Sequence, residues 1–268
     1  SQLADWAELR ALRGDRTLSC EALARALRRP SQISEEQARE AAREVFVEVE
    51  WRRRVCASAP IPGRYPFKIS DGMLVHTGGS GASGSAYRFT LLTCSWSMAS
   101  TSRTLSKIDP TKTFERLCEG ALREFAGQAK SGTHDAVCFG TASGKKASED
   151  DKVFQRKVND LCQTIFEGGG ARERRRQPGA GDGGLDVVSW RGFGDGRPGQ
   201  LILFAQCKTG VHWRTHLGTL NPSAFCEKYL RERPVVMPIQ TFMIPWSLAG
   251  EESWRDTCLS GGLILDRC

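Results

Sequence analysis

The chain has 268 residues, with 38 Lys plus Arg against 31 Asp plus Glu for a net charge of +7, and 40% of it is hydrophobic. That length suits one large domain or two smaller ones, each with its own core, and the ordinary apolar content excludes a fibrous or disordered chain. No run of about 18 apolar residues offers a membrane span, and the N-terminus lacks the basic-then-apolar order of a secretion signal. Ten Cys stand singly, with no CxxC pair, and the four His have no zinc-finger spacing. These features point to a reducing, cytoplasmic setting rather than to a disulfide scaffold or a structural zinc site.

The first segments read as helices. Trp6, Leu9 and Leu12 recur at helical spacing, and Leu18, Ala22, Leu23, Ala26 and Leu27 continue the pattern until Pro30 stops it. Ser34-Glu35-Glu36-Gln37 has the form of a capping box and predicts a third helix to about Arg54, with Ala38, Ala41, Ala42, Val45, Phe46, Val49 and Trp51 on its apolar side. Two strand-like runs follow, Tyr65 to Val75 and Ala86 to Trp96, separated by the Gly/Ser-rich stretch Thr77 to Gly84. Three helices and a hairpin follow the order of a winged helix, with the Gly/Ser stretch as its wing. A DNA-reading module, a partner-binding module and a purely structural one are all compatible with that order.

Phe114 to Phe125 reads as a further helix, and Thr133 to Asp150, which encloses the short apolar run Ala136 to Phe139, reads as a linker. The expected division is therefore 1–132 and 133–268. In the second part the predicted order is helix 151–166, strand 184–190, strand 200–208, helix 219–231, strand 235–244, helix 251–258 and strand 262–266. That order fits an α/β sandwich, a mixed sheet flanked by helices.

The stretch from Gly183 to Lys208 carries the chemistry. Gly183-Gly184-Leu185-Asp186-Val187-Val188 leads through a Gly/Pro-rich turn to Leu201-Ile202-Leu203-Phe204-Ala205-Gln206-Cys207-Lys208. An antiparallel pairing of the two runs brings Asp186 near Gln206 and Lys208, and strand alternation turns Gln206 and Lys208 to one side with Cys207 on the other. One anionic oxygen ligand, one neutral oxygen ligand and one ammonium at a sheet edge suit a divalent cation and a phosphodiester. The glycine runs do not form a phosphate-binding Walker loop, and there is no GxSxG elbow, so an ATPase and a serine esterase are not expected.

Asp186 followed by Gln206-Cys207-Lys208, with Gly181-Asp182-Gly183-Gly184 ahead of it, resembles the active-site core of the PD-(D/E)xK nucleases. The form is the D…QxK variant of Mrr-type restriction endonucleases and related prokaryotic antiphage effectors. The resemblance covers roughly Asp151 to Asp266 and implies a restriction-endonuclease-like fold. It also implies Mg²⁺, with Mn²⁺ as a substitute, held by Asp186 and Gln206, and Lys208 orienting water and the scissile phosphate. The family's helix Glu is replaced here by Gln155, in Val153-Phe154-Gln155-Arg156. Glu167 is the preferred substitute as the remaining catalytic and metal-binding acid, with Glu173 and Asp182 as weaker candidates. An exposed helix-end role for Glu167 stays open.

Arg172, Arg174, Arg175 and Arg176 lead into the Asp186 strand and are candidates for gripping a phosphate backbone, the alternative being a solvated basic loop. His212, Trp213 and Arg214, just past Lys208, are candidates for phosphate contact and base stacking, the alternative being a Trp that packs its own loop. The expected protein is thus a cytoplasmic Mg²⁺-dependent DNA endonuclease serving restriction or antiphage defence, and paired cuts would imply a homodimer. Its rivals are a catalytically degenerate nucleic-acid binder, an interaction subunit of a multi-protein defence complex, and an RNase or junction resolvase using the same residues.

Overall fold

The computed structural model describes residues 2–13, 17–31, 33–57, 65–78, 82–98, 108–127, 134–140, 151–173, 183–193, 195–248 and 251–268. It divides into two compact units. The first is Ser1–Thr101 with Pro245–Ser253 and Asp266–Cys268, and the second is Ser102–Ile244 with Trp254–Leu265. The division therefore falls at 101/102 rather than at 132/133, and the chain returns to its first unit twice. Among the described residues no helix is long and apolar enough to cross a membrane.

The first unit runs α1 (Gln2–Arg13), β1 (Thr17–Ser19), α2 (Cys20–Ser31), α3 (Glu35–Ala57), β2 (Phe67–Ser70), β3 (Met73–His76) and α4 (Ala82–Met98). The capping box closes as expected. Ser34 Oγ accepts the Gln37 N–H at 3.2 Å, and the Ser34 N–H donates back to Gln37 Oε1 at 2.9 Å. β3 pairs antiparallel with both β1 and β2, giving the order β1-β3-β2.

The winged-helix order is present, but its hairpin is Phe67 to His76, turning at Asp71-Gly72, where both residues have positive φ. The run Ala86 to Trp96, expected as a strand, belongs to helix α4. Tyr87, Leu91 and Cys94 are all buried, and their spacing of four and three places them on one helical face. Burial against the core overrides the strand preference of Tyr, Phe and Thr.

The core of this unit contains a cluster of buried charges. Arg52 donates to Asp5 Oδ1 at 2.7 Å, to Glu8 Oε1 at 2.9 Å and to Glu48 Oε1 at 2.6 Å. Arg267 also bonds Asp5, and Glu8 accepts the hydroxyls of Tyr65 at 2.7 Å and of Tyr87 at 3.0 Å. Burial raises the Asp5 carboxyl, but the Arg267 and Arg52 guanidiniums outweigh it and hold the group below its ordinary value.

The second unit is built on a five-stranded sheet in the order β4-β5-β6-β7-β8. Its strands are β4 (His134–Cys138), β5 (Val187–Arg191), β6 (Leu201–Cys207), β7 (Ile239–Met243) and β8 (Leu263–Leu265). The first three are antiparallel. The crossover through α7 (Pro222–Tyr229) makes β7 parallel to β6, and that through α8 (Glu251–Gly261) makes β8 parallel to β7. Every element predicted for 151–268 is present, and the run Ala136 to Phe139, read as part of a linker, supplies edge strand β4.

Helix α5 (Pro110–Phe125) starts at a capping Asp109 and packs on the β4–β5 face. It therefore belongs to this unit and not to the N-terminal part. On the opposite face α6 (Asp151–Ile165) and α7 cover the sheet. Phe154, Val158, Leu161, Phe225 and Tyr229 close over Val188, Ile202 and Phe204. The result is a mixed α/β sandwich.

Candidate active site

The β5–β6 register pairs Val187 with Ala205, so continuing it by one residue sets Asp186 opposite Gln206. Asp186 is held on every side by backbone. Its N–H donates to Ala205 O at 2.9 Å, and its carbonyl accepts the N–H groups of Phe139 at 2.7 Å and Gly140 at 2.9 Å. Its carboxylate Oδ2 accepts the Cys207 N–H at 2.8 Å. Gly140 lies so close that a Cβ there would stand 2.7 Å from Asp186 Oδ1.

Gln206 is 1% exposed, and its Oε1 has no hydrogen-bond partner among the described residues. A buried amide oxygen left without a donor costs about 1–3 kcal/mol, and so it calls for an explanation. Lys208 is half-buried and continues the ladder by donating its N–H to Met243 O at 3.0 Å, so alternation carries its side chain to the Gln206 side. The hairpin thus brings Asp186, Gln206 and Lys208 to one end of the sheet.

Gly184 shapes the Gln206 side of this end. It has φ +78°, and a Cβ on it would lie 2.6 Å from Gln206 Nε2. Gly184→Ala is expected to cost about 1–3 kcal/mol through left-handed strain and displacement of the Gln206 amide. Thermal unfolding checks this. A wild-type midpoint would show that the Gly184–Gln206 contact shapes nothing.

One residue at the site was not among those expected from the sequence. Lys157 of α6 is buried, and its Nζ donates to Phe139 O at 2.9 Å and Gly140 O at 3.3 Å. The same two residues donate their N–H groups to Asp186 O, so the ammonium anchors the backbone that holds Asp186. The signal was a Lys on the stripe Phe154, Val158 and Leu161, where a solvated cation does not belong. Gln155 lies half-buried on the same helix.

Glu167, the preferred substitute acid, is not brought to this end. It is buried, with Oε1 accepting the N–H groups of Gly199 at 2.9 Å and Gln200 at 3.3 Å, and Oε2 accepting that of Val235 at 2.8 Å. Gly199 and Gln200 precede β6, whereas Gln206 is near its far end, a separation of roughly 20 Å along the strand. Glu167 ties loops together at the turn end of the sheet instead of completing the Asp186 cluster. In sequence, a helix-end acid ahead of a glycine run looks the same in either role.

Trp213 is 2% exposed and packs against Phe242, ring centres 6.1 Å apart, with the Arg214 guanidinium 4.3 Å from its own ring centre. Its ring is therefore a core element and not a platform for a base. His212 and Arg214 remain exposed. Arg172 is bound through Nε to Leu230 O at 3.1 Å beside the Ala171–Leu230 bridge. Glu173 is exposed, and Arg174, Arg175, Arg176 and Asp182 lie outside the described residues.

Among the described residues no group of three or more His, Cys, Asp or Glu could hold a metal ion. The Cys207 thiol is pushed well up by burial and by Cys118 beside it. The Asp186 carboxylate and the unsatisfied Gln206 amide belong to residues that stand opposite each other at this end of the hairpin. That hard, incomplete set fits a Mg²⁺ ion, which binds through one or two carboxylates and keeps several waters. No family model, curated protein or solved structure matches the chain.

Proposed function

We propose that the second unit is a metal-dependent nuclease of the PD-(D/E)xK type, in its D…QxK form, with a restriction-endonuclease-like fold. In this reading the chain cuts DNA as a restriction or antiphage effector. The observation that carries the proposal is the buried Gln206 Oε1, lacking a donor, opposite the fixed Asp186 carboxylate at the end of a hairpin that continues into Lys208. A cation bound by Asp186 and Gln206 would supply Lewis acidity toward the phosphate and a more acidic bound water.

The chain's own residues do the rest. The Cys207 N–H holds Asp186 Oδ2 and so orients the carboxylate. Lys157 fixes the Phe139–Gly140 backbone under it. The Lys208 ammonium offsets negative charge on the phosphate, and a net charge of +7 favours a polyanionic substrate.

Phosphate contacts are better assigned to the second unit than to α3. Three of the four exposed arginines of α3 are already matched by its own acids, Arg39 with Glu35 at 2.7 Å, Arg43 with Glu40 at 2.9 Å and Arg53 with Glu50 at 2.6 Å. The hairpin tip carries Asp71, whose charge opposes a DNA backbone. The second reading is a nucleic-acid-binding subunit with a degenerate nuclease centre, and the observation favouring it is Gln155 at the position of the family's acid.

Supercoiled plasmid distinguishes the two readings. Wild type with Mg²⁺ or Mn²⁺ is expected to nick or linearise it, while EDTA or Lys208→Ala is expected to reduce cleavage at least about 100-fold. Binding without cleavage under every metal condition favours the degenerate subunit.

A further inference from the structure

The first unit holds two thiols in contact, brought together from positions more than two hundred residues apart. Cys56 stands in the last turn of α3, one turn past Arg52, and is buried in the core. Cys268 is half-buried and packs against that same core. A hydrogen bond joins the two side chains, the Cys56 thiol donating to the Cys268 sulfur. All ten cysteines are free, so both sulfurs are reduced.

The backbone around Cys268 is tied in place. Asp266 accepts the N–H groups of Cys268 at 2.9 Å and Leu248 at 2.8 Å, and the Arg267 N–H donates to Trp246 O at 3.2 Å. Ser247 Oγ lies 3.4 Å from Cys268 Sγ. The encounter of the two sulfurs is therefore built into the fold, and a bond between them forms without a further search.

The surroundings also sort the cysteines by reactivity. Burial pushes the thiols of Cys20, Cys94, Cys138, Cys162, Cys207 and Cys226 up, which suits inert packing. Cys268 goes the other way. The donating Cys56 thiol, with the Arg267 guanidinium and the Ser247 hydroxyl, holds it below its ordinary value against burial and the Asp266 charge. A partly exposed thiol with thiolate character and a second thiol in contact is the arrangement of a cysteine that oxidises and is then resolved.

We propose that Cys268 and Cys56 form an oxidation site for peroxides, Cys268 reacting first and Cys56 resolving it into a disulfide. In the first step the Cys268 thiolate attacks one oxygen of hydrogen peroxide, the O–O bond breaks, hydroxide leaves and Cys268 becomes a sulfenic acid. In the second the Cys56 sulfur displaces that hydroxyl, the S–S bond forms, and the Cys56 thiol proton departs with the hydroxyl as water. The two sulfurs give up two electrons to the peroxide, and the hydroxide regains the proton that Cys268 lost. The bond ties the Asp266–Cys268 segment to α3 and so holds Arg267 against Asp5, and it closes a loop long enough to restrict the unfolded chain strongly. A thiol reductant reverses it. The proposal stands independently of the nuclease reading.

Peptide mapping after a small molar excess of hydrogen peroxide, with free thiols blocked before digestion, tests it without reference to cleavage. Wild type is expected to lose two of its ten free thiols and to yield the Cys56–Cys268 cross-linked peptide before any other. Its unfolding midpoint is expected to rise by at least about 5 °C and to fall back with dithiothreitol. Cys56→Ser is expected to leave a sulfenic acid at Cys268 that dimedone labels, and Cys268→Ser to give neither label nor cross-link at this pair. Cys258→Ser, at another partly exposed cysteine, is expected to oxidise as wild type does. A wild type that keeps all ten thiols overturns the proposal, as does a first cross-link between any other pair or a peroxide-driven rise in midpoint that survives in Cys56→Ser. The wild-type map decides the question even where a variant fails to fold.

Discussion

Asp186→Asn is expected to lower Mg²⁺-dependent cleavage by at least about 10³-fold while the protein stays folded, because a metal's stabilisation of a phosphoryl transition state is worth several kcal/mol. The amide oxygen of Asn can still accept the Cys207 N–H that Asp186 Oδ2 accepts at 2.8 Å, and the three backbone bonds of residue 186 do not involve the side chain. What disappears is the negative charge. In the proposed site Gln206 is neutral, so Asp186 would be the anionic ligand on which Mg²⁺ affinity depends. Plasmid cleavage at matched protein concentration, with thermal unfolding as the control, checks both halves. A variant that cuts at the wild-type rate removes Asp186 from the chemistry, and one that unfolds shows its role to be structural.

Arg52→Ala is expected to destabilise the first unit by about 3–5 kcal/mol, enough to lower its unfolding midpoint by at least about 10 °C. Arg52 has no exposed surface and bonds three carboxylates, and its removal leaves Asp5 and Glu8 with Arg267 and the Tyr65 and Tyr87 hydroxyls. The matched control is Arg53→Ala. Arg53 pairs with Glu50 on the surface and is expected to change stability by no more than about 0.5–1 kcal/mol. Equal effects from the two substitutions would mean that the buried cluster contributes no more than a surface pair. Acid acts on the same cluster. The folded Asp5 carboxyl lies below its unfolded value of 3.8, so its contribution is complete above that value and is lost as the pH falls below about 4 through the folded value.

The hairpin from Asp186 to Lys208 was legible because a period of two, a turn rich in glycine and proline, and polar residues at the far end all agree on one register. The Ser34–Gln37 cap was legible for a similar reason, since its two bonds are made by residues three apart. What stayed hidden depends on contacts distant in sequence. Strand β1 has three residues and exists through its pairing with β3, more than fifty positions later. Helix α4 carries strand-forming residues that only tertiary burial turns into a helix. Asp5, Glu8 and Arg52 look like solvated charges on amphipathic helices, because binary patterning does not say which charges will meet inside. Glu167 and Trp213 stayed ambiguous because an acid beside glycines and an aromatic beside cations suit either a site or a packed loop. The fold alone separates those two cases.

Arg267 closes a cluster that begins at Asp5 and Glu8, so the unit that leaves the ribosome first waits for a residue made roughly 160 positions after Thr101, a delay on the order of 10–30 s at ordinary synthesis rates. Through that interval the Arg52 guanidinium and the Tyr65 and Tyr87 hydroxyls serve the cluster without Arg267, in a nascent chain that chaperones and proteases can reach.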